Sequence, residues 1–294
     1  MKYEHLKGSG VALITPFKED LTIDFTSLEK IINHVIDGGT DFIVVLGTTG
    51  EAALLSYEEK LDVISFVKEK VAGRIPLVLG YGGISTANLI ADFKNYDFSG
   101  IEAILTVTPF YVKPTQKGLY EHYKAIADAS PLPVILYNVP GRTGVNMEAS
   151  TTVDLSTHPN IIGIKEASGK LFQTEEILLR KPEDFILYSG EDALTFHLMN
   201  LGSDGVISVV ANAFPKEVSI IVKKKNDERF QEARDAHFLL KVLTKAVFAD
   251  GNPCGIKYVL SKMGLCNNIV RLPLIPVSKT TEETIDRELK AILG

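Results

Sequence analysis

Lys165 is the residue of this chain with the strongest potential for covalent chemistry. It closes the apolar run at residues 161–164 and is followed by Glu-Ala-Ser-Gly, which ends the run. A run of this kind is typical of a strand that is buried on both faces. Burial disfavours a charged ammonium, so a lysine in this place can act as a neutral amine and form a Schiff base with a carbonyl substrate. The alternative is a lysine at a strand end that reaches solvent.

Two further motifs carry side chains suited to the same chemistry. Gly-Thr-Thr-Gly-Glu at residues 47–51 exposes the N–H groups and hydroxyls of Thr48 and Thr49, a nest suited to a carboxylate. In Tyr-Asn-Val-Pro-Gly-Arg-Thr-Gly, which ends at residue 144, the Tyr137 hydroxyl can transfer protons. Arg142 in that segment offers a bidentate fork for a second carboxylate. An ordinary turn, an aromatic that fills the core and a surface arginine are the respective alternatives.

The remaining ionisable side chains have structural interpretations. Alternation along the strand points Glu166 away from Lys165. Glu191 and Asp192 are expected to cap the helix after the seventh strand. Five histidines lack metal-ligand spacing and are expected to be solvated or packed side chains. Two cysteines are expected to be reduced thiols in packed helices. These residues are His34, His122, His158, His197, His237, Cys254 and Cys266.

Short apolar runs alternate with amphipathic stretches, and this order predicts the fold. The runs lie at residues 10–17, 42–47, 77–82, 103–109, 134–140, 161–165, 185–189 and 205–210. Helical patterns separate them, for example at residues 25–37, 57–71, 86–96 and 117–129, with Ser56 and Ser85 placed as N-caps. Eight such units predict an α/β protein with a (β/α)8 TIM barrel, whose active site lies where the strands end. A doubly wound open sheet is the alternative, but no Gly-x-Gly-x-x-Gly follows the first strand.

After residue 224 the sequence contains helical patterns only. They cover residues 227–250, 253–263 and 281–293. We therefore predict a catalytic barrel at residues 1–224 and a C-terminal helical domain at residues 225–294.

Composition argues against several classes of partner. The chain has 294 residues, and 45% of them are hydrophobic, which is enough for a large core. A formal net charge of -6 and the lack of a basic stripe argue against nucleic acid. The first residues lack the apolar core of a signal peptide, and no apolar stretch reaches membrane-spanning length. We expect a soluble, cytoplasmic protein without a membrane partner.

At three motifs the sequence resembles a known family. The segments at residues 47–51 and 137–144, with Gly-Ile-Lys-Glu-Ala at residues 163–167, match in order and spacing the pyruvate-dependent class I aldolases that include dihydrodipicolinate synthase. The resemblance covers nearly the whole chain. The first and third motifs are shared with N-acetylneuraminate lyase, whereas the Arg-Thr-Gly ending of the middle one is similar to the synthases.

The resemblance implies a reaction. Lys165 would condense with pyruvate, whose carboxylate would rest on Thr49 and neighbouring amides. The resulting enamine would attack aspartate 4-semialdehyde, held through its carboxylate by Arg142. The product would be 4-hydroxy-tetrahydrodipicolinate, on the route to lysine, and no metal or organic cofactor would be required.

The resemblance also implies a proton relay and an assembly. Tyr137 would donate and accept protons with Thr48 and Tyr111, and the backbone of Ile207 would line the pyruvate site. In the family, the tyrosine that corresponds to Tyr111 reaches the active site of the neighbouring subunit. The implied state is a homo-oligomer, a dimer at minimum and commonly a tetramer.

Other functions stay open at this point. One is a lyase that cleaves N-acetylneuraminate or a 2-keto-3-deoxy sugar acid, and another is a sensor that binds pyruvate without turnover. A phosphate-binding isomerase is disfavoured, because Val-Val-Ala-Asn at residues 209–212 lacks the glycines of a phosphate loop.

The sequence departs from the family pattern where lysine-inhibited synthases bind their effector. Ile84 replaces an asparagine, Asn88 a glutamate and Phe110 a tyrosine of that pattern. The region after residue 51 offers Ala52, Tyr57 and Lys60. Losing a hydrogen bond to a charged group costs about 1.5–3 kcal/mol, so we expect little or no inhibition by lysine.

Overall fold

Eight parallel strands close into a barrel in which each strand pairs with its neighbours in the sequence. The computed structural model describes residues 3–223 and 230–294. The strands are β1 Gly8–Ala12, β2 Phe42–Val45, β3 Leu77–Gly80, β4 Ala103–Val107, β5 Val134–Asn138, β6 Ile161–Glu166, β7 Ile186–Ser189 and β8 Gly205–Ser208. The predicted TIM barrel is confirmed, and the doubly wound alternative is wrong.

Helices alternate with the strands and continue after the barrel. Those of the barrel segment are α1 Phe25–Asp37, α2 Tyr57–Val71, α3 Thr86–Asp92, α4 Gln116–Ala129, α5 Pro140–Thr143, α6 Ala149–Leu155, α7 Leu171–Arg180, α8 Thr195–Leu201 and α9 Pro215–Lys223. The C-terminal helices are α10 Phe230–Ala249, α11 Cys254–Lys262 and α12 Lys279–Leu293. The predicted helical extension is confirmed, and α10 packs against α9, α11 and α12. The predicted domain boundary at residues 224 and 225, and the predicted helix start at residue 227, lie outside the described residues.

Six of the eight strands end earlier than the apolar runs that predict them, whereas β7 ends with its run and β6 ends one residue after it. The first run extends to residue 17, whereas β1 ends at Ala12. Leu13, Ile14 and Phe17 are nevertheless buried. A loop that covers the end of the barrel buries the same kinds of side chain as a strand does, so hydrophobicity alone does not mark where the strand ends.

Helix starts follow local capping signals. The Ser56 hydroxyl accepts a hydrogen bond from the Glu59 N–H, and the Glu59 carboxylate accepts one from the Ser56 N–H. Ser85 accepts from the Asn88 N–H at the start of α3. Both predicted N-caps are confirmed.

Large side chains fill the amino end of the barrel interior. The rings of Phe42 and Tyr188 lie there with centroids 5.5 Å apart. Gly10 makes room for Phe42, because a Cβ at this position would lie 2.2 Å from the Phe42 Cζ. The amino end is therefore a packed core.

The seam between β1 and β8 completes the ring. Gly8 pairs with Gly205, and a Cβ on Gly205 would lie 2.1 Å from the Gly8 carbonyl oxygen. The buried side chain of Asn212 spans the same seam: its Nδ2 donates to the Ala12 oxygen, and its Oδ1 accepts from the Ile14 N–H. The seam thus depends on close backbone approach and on one buried amide.

Candidate active site

A cavity of about 660 Å³ opens at the carboxyl ends of the strands. This end of a TIM barrel is the one that carries active sites, and the volume suits small-molecule ligands. Four of the predicted catalytic and substrate-binding residues line the cavity, namely Thr48, Tyr137, Arg142 and Lys165. The structure therefore brings three motifs from β2, β5 and β6 to one place.

Lys165 and Tyr137 are neighbours on adjacent strands. They are register partners of β6 and β5, and the Lys165 Nζ lies 4.6 Å from the centroid of the Tyr137 ring. Their exposed fractions are 5% and 7%. The amine therefore faces the cavity from a buried position, beside an aromatic ring that carries a hydroxyl.

The turn at residues 47–51 places one threonine in the cavity and the other behind it. Thr48–Gly50 forms one turn of 3-10 helix, in which Thr48 is exposed and Thr49 is buried. The Asn252 Nδ2 donates to the Thr49 Oγ1 at 2.9 Å. The Gly50 carbonyl accepts a hydrogen bond from the Thr15 hydroxyl at 2.7 Å. The turn is thus fixed from both the first barrel loop and the link between α10 and α11.

Arg142 lies on α5, a single turn that directly follows β5. Pro140 begins this helix, and Gly144, with a φ of 73°, ends it in the left-handed conformation that glycine adopts without steric cost. Thr143 is buried, and its hydroxyl contacts the Val139 and Val145 oxygens. The buried Thr143 anchors the turn, and the exposed Arg142 side chain is directed to the cavity.

Glu166 points away from the cavity, as the sequence alternation predicts. Its carboxylate accepts hydrogen bonds from the Ser168 N–H, the Asn138 Nδ2 and the Gln173 Nε2 at 2.7–3.2 Å. Burial raises the pKa of Glu166, and these hydrogen bonds act against that rise. The carboxylate joins β5, β6 and α7 behind the lysine.

The predicted capping role of Glu191 and Asp192 is wrong. Glu191 makes no side-chain cap, and the carboxylate of Asp192 instead accepts from the Ser208 hydroxyl and from the N–H groups of Val209 and Val210. The carboxylate thus joins the segment after β7 to the end of β8. Burial raises the pKa of both Asp192 and Glu191. Lys165 acts against both rises.

The other three predicted site residues do not line the cavity, and one of them lies on the surface. Thr49 lies behind the turn, and Ile207 is a buried residue of β8. Tyr111 is 87% exposed, on the loop after β4.

Asn252 is a cavity residue that the sequence interpretation missed. It lines the cavity beside Lys165, and its Oδ1 is buried without a hydrogen-bond partner among the described residues. It lies in the link between two C-terminal helices, where no local pattern indicates contact with the barrel. The adjoining Gly251 and Pro253 mark the position as a chain link.

The described residues contain neither a metal cluster nor a membrane-spanning helix. In residues 3–223 and 230–294, no three His, Cys, Asp or Glu side chains are grouped to hold a metal ion. Cys254 and Cys266 are free thiols, and Cys266 follows α11 instead of lying in a helix. Over the same residues, no helix has the length and apolarity needed to span a membrane.

A model of the dihydrodipicolinate synthetase family matches residues 5–292. The chain belongs to this family. A 4-hydroxy-tetrahydrodipicolinate synthase of Parabacteroides distasonis is 49% identical over 289 residues, which cover 98% of this chain and 97% of the relative. The pyruvate complex of a chloride-inhibited dihydrodipicolinate synthase from Acinetobacter baumannii has a TM-score of 0.93 at 42% identity, covering 98% and 99% of the two chains. A structure described as the first monomeric variant of this synthase has a TM-score of 0.93 at 37% identity, covering 97% and 96%.

The family members decide between the functions that the sequence left open. Relatives at 49%, 48% and 45% identity are all named 4-hydroxy-tetrahydrodipicolinate synthase. The predicted synthase of lysine biosynthesis, an aldolase-type lyase, is confirmed over a sugar-acid lyase and over a pyruvate sensor.

Proposed function

We propose that this chain condenses pyruvate with L-aspartate 4-semialdehyde through a Schiff base on Lys165 and releases 4-hydroxy-tetrahydrodipicolinate. The observation that carries the proposal is the buried Lys165 amine in the cavity wall, 4.6 Å from the centroid of the Tyr137 ring. The pyruvate complex of the Acinetobacter relative supports the choice of the first substrate.

In the first half of the proposed reaction, pyruvate binds with its carboxylate on the turn at residues 47–51. The Lys165 amine attacks the keto carbon, and the carbinolamine loses water to give a protonated imine. The hydroxyls of Tyr137 and Thr48 transfer the protons of this step. Thr49 and the backbone of Ile207 complete the pyruvate site.

In the second half, the protonated imine withdraws electrons from the pyruvate methyl group. A methyl proton leaves to Tyr137, and the resulting enamine carbon attacks the aldehyde of the semialdehyde, whose carboxylate pairs with Arg142. The aldehyde oxygen becomes a hydroxyl. The semialdehyde amine then attacks the imine carbon and releases Lys165, so that one water is lost overall and no cofactor enters.

We infer that Tyr111 completes the relay from a second copy of the chain. It is 87% exposed and has a φ of 70°, and an aromatic residue in the left-handed region is unusual. Its neighbours Phe110 and Val112 are also exposed. These features support a homo-oligomer, a dimer at minimum and a tetramer as the expected state. A fully active monomer in sedimentation at assay concentration would contradict this inference, and a monomeric variant is known among the synthases that this chain resembles.

Trapping of the imine tests the function directly. The protein is incubated with pyruvate and borohydride and digested, and the peptides are weighed. We expect a reduced pyruvate adduct on Lys165 and none on a Lys165→Ala variant. Labelling of another lysine, or turnover of N-acetylneuraminate in place of aspartate semialdehyde, would refute the proposal.

We also propose a cytoplasmic location, because the relatives are biosynthetic enzymes, and fractionation of the source cells tests it.

A further inference from the structure

A buried ion pair connects the turn at residues 47–51 to the C-terminal helices. Glu51 and Lys257 are 206 residues apart in the sequence, yet they form a salt bridge in which both side chains are fully buried. Lys257 lies on α11, and Glu51 directly follows the Gly-Thr-Thr-Gly segment. The proposed mechanism uses neither charge.

Each member of the pair has further partners. The Lys257 Nζ donates to the Ile269 oxygen at 2.9 Å and lies 4.0 Å from the centroid of the Phe17 ring. The other carboxylate oxygen of Glu51 accepts from the Arg271 N–H at 3.1 Å. The Arg271 guanidinium lies 4.4 Å from the Phe17 centroid. A buried network with this degree of pairing fixes one geometry.

Glu51 also has a backbone conformation that its surroundings must maintain. Its φ is 52°, in the left-handed region that residues other than glycine rarely occupy. The Glu51 N–H donates to the Thr48 oxygen, and the Glu51 carbonyl accepts from the Leu54 N–H. The conformation of Glu51 therefore determines the direction in which the chain leaves the turn. The backbone positions of Thr48 and Thr49 in the turn depend on this conformation.

We propose that Glu51 and Lys257 are positioning residues for the carboxylate subsite of this enzyme. The pair holds the backbone of the turn so that the Thr48 side chain and the N–H groups of the turn are presented to the pyruvate carboxylate. This inference rests on the proposed function, because it requires pyruvate to bind at the turn. The competing interpretation is a pair that contributes only to the stability of the fold.

The test uses variants that separate stability from positioning. Lys257→Met and Glu51→Gln each leave a buried partner unpaired and are expected to unfold more easily. The double variant removes both charges while keeping an acceptor for the Arg271 N–H, so its Tm is expected to recover. Lys262→Met is the matched control, because Lys262 lies on the same helix and pairs with Asp286 at the surface.

Pyruvate affinity is the decisive measurement. For each variant, at a temperature where circular dichroism shows it folded, we measure the pyruvate concentration that gives half-maximal borohydride trapping on Lys165. The KM for each substrate is measured alongside. A displacement of about 1 Å can cost about 10²-fold. We therefore expect the half-saturating pyruvate concentration of the double variant to rise about ten- to a hundredfold, with the KM for semialdehyde nearly unchanged and Lys262→Met like the wild type.

A folded double variant with wild-type half-saturation would overturn the inference and leave the pair a purely structural one. If the double variant does not fold, Glu51→Asp gives the same readout, because it keeps the charge and shortens the link to the turn by one methylene. A wild-type protein that pyruvate and borohydride do not label would instead refute the proposed function.

Discussion

Replacing Tyr137 with phenylalanine separates proton transfer from packing at the proposed site. The ring lies 4.6 Å from the Lys165 Nζ and is 7% exposed, so phenylalanine keeps the contact with the amine and removes only the hydroxyl. A positioned general acid–base contributes about 10²–10⁴-fold, which equals about 2.7–5.4 kcal/mol of activation free energy. We expect kcat to fall by this factor, with pyruvate trapping on Lys165 reaching the same final yield more slowly.

Tyr188→Phe is the matched control for this prediction. Tyr188 is the register partner of Lys165 on the other side, and its hydroxyl donates to the Leu6 oxygen at 2.7 Å. Removal of the Tyr188 hydroxyl leaves that buried oxygen unpaired at a cost of about 1–3 kcal/mol of stability. The Tm should therefore fall, while the kcat of the folded enzyme stays unchanged. Steady-state rates at saturating pyruvate and aspartate semialdehyde provide the assay. Wild-type kcat in Tyr137→Phe, or an equal loss of kcat in Tyr188→Phe, would refute the assigned role of the hydroxyl.

Three further predictions concern the second substrate, the effector and pH. Arg142→Ala should raise the KM for aspartate semialdehyde about ten- to 150-fold, because it removes one charge-assisted hydrogen bond to the substrate carboxylate. Pyruvate trapping on Lys165 should stay intact. Impaired trapping with a normal KM would contradict the assignment. Lysine should not inhibit at submillimolar concentration, because the exposed Ile84 and Asn88 lack the charge that an ammonium requires, and half-inhibition in that range would show the prediction to be wrong. Burial lowers the pKa of His122 to about 4 from 6.5, so below 6.5 the unfolded chain binds the extra proton and stability is lost as pH falls towards 4. The loss is about 3 kcal/mol, and a His122→Gln variant with an equally steep fall of Tm over this window would contradict it.

The sequence predicts the parts of this site that depend on local order. Lys165 follows from a buried apolar run, and the helix starts at Ser56 and Ser85 follow from capping residues a few positions away. The fold class follows from the alternation of strands and helices. Once it is known, the rule for the active end of a barrel brings the motifs of Thr48, Tyr137 and Lys165 together.

The contacts that the sequence does not predict join residues that are far apart in the chain. The Asn252 amide reaches Thr49 across 203 residues, and Lys257 reaches Glu51 across 206. Neither has a periodic pattern, because a single side chain in a link or on a buried helix has no sequence neighbour that shares its contact. Asp192 follows the same rule, since the groups that donate to its carboxylate lie at the last residue of β8 and just after it, 16–18 residues away.

The seam between β1 and β8 also sets the order in which the chain can complete its fold. The hydrogen bond from the Ile14 N–H to Asn212 spans 198 residues. At about 5–20 residues per second, β1 leaves the ribosome about 10–40 s before the strand that covers its edge. During that interval the edge offers unpaired N–H and C=O groups to other nascent chains. Closure of the ring is therefore the step at which this barrel is expected to be slowest to fold and most exposed to aggregation.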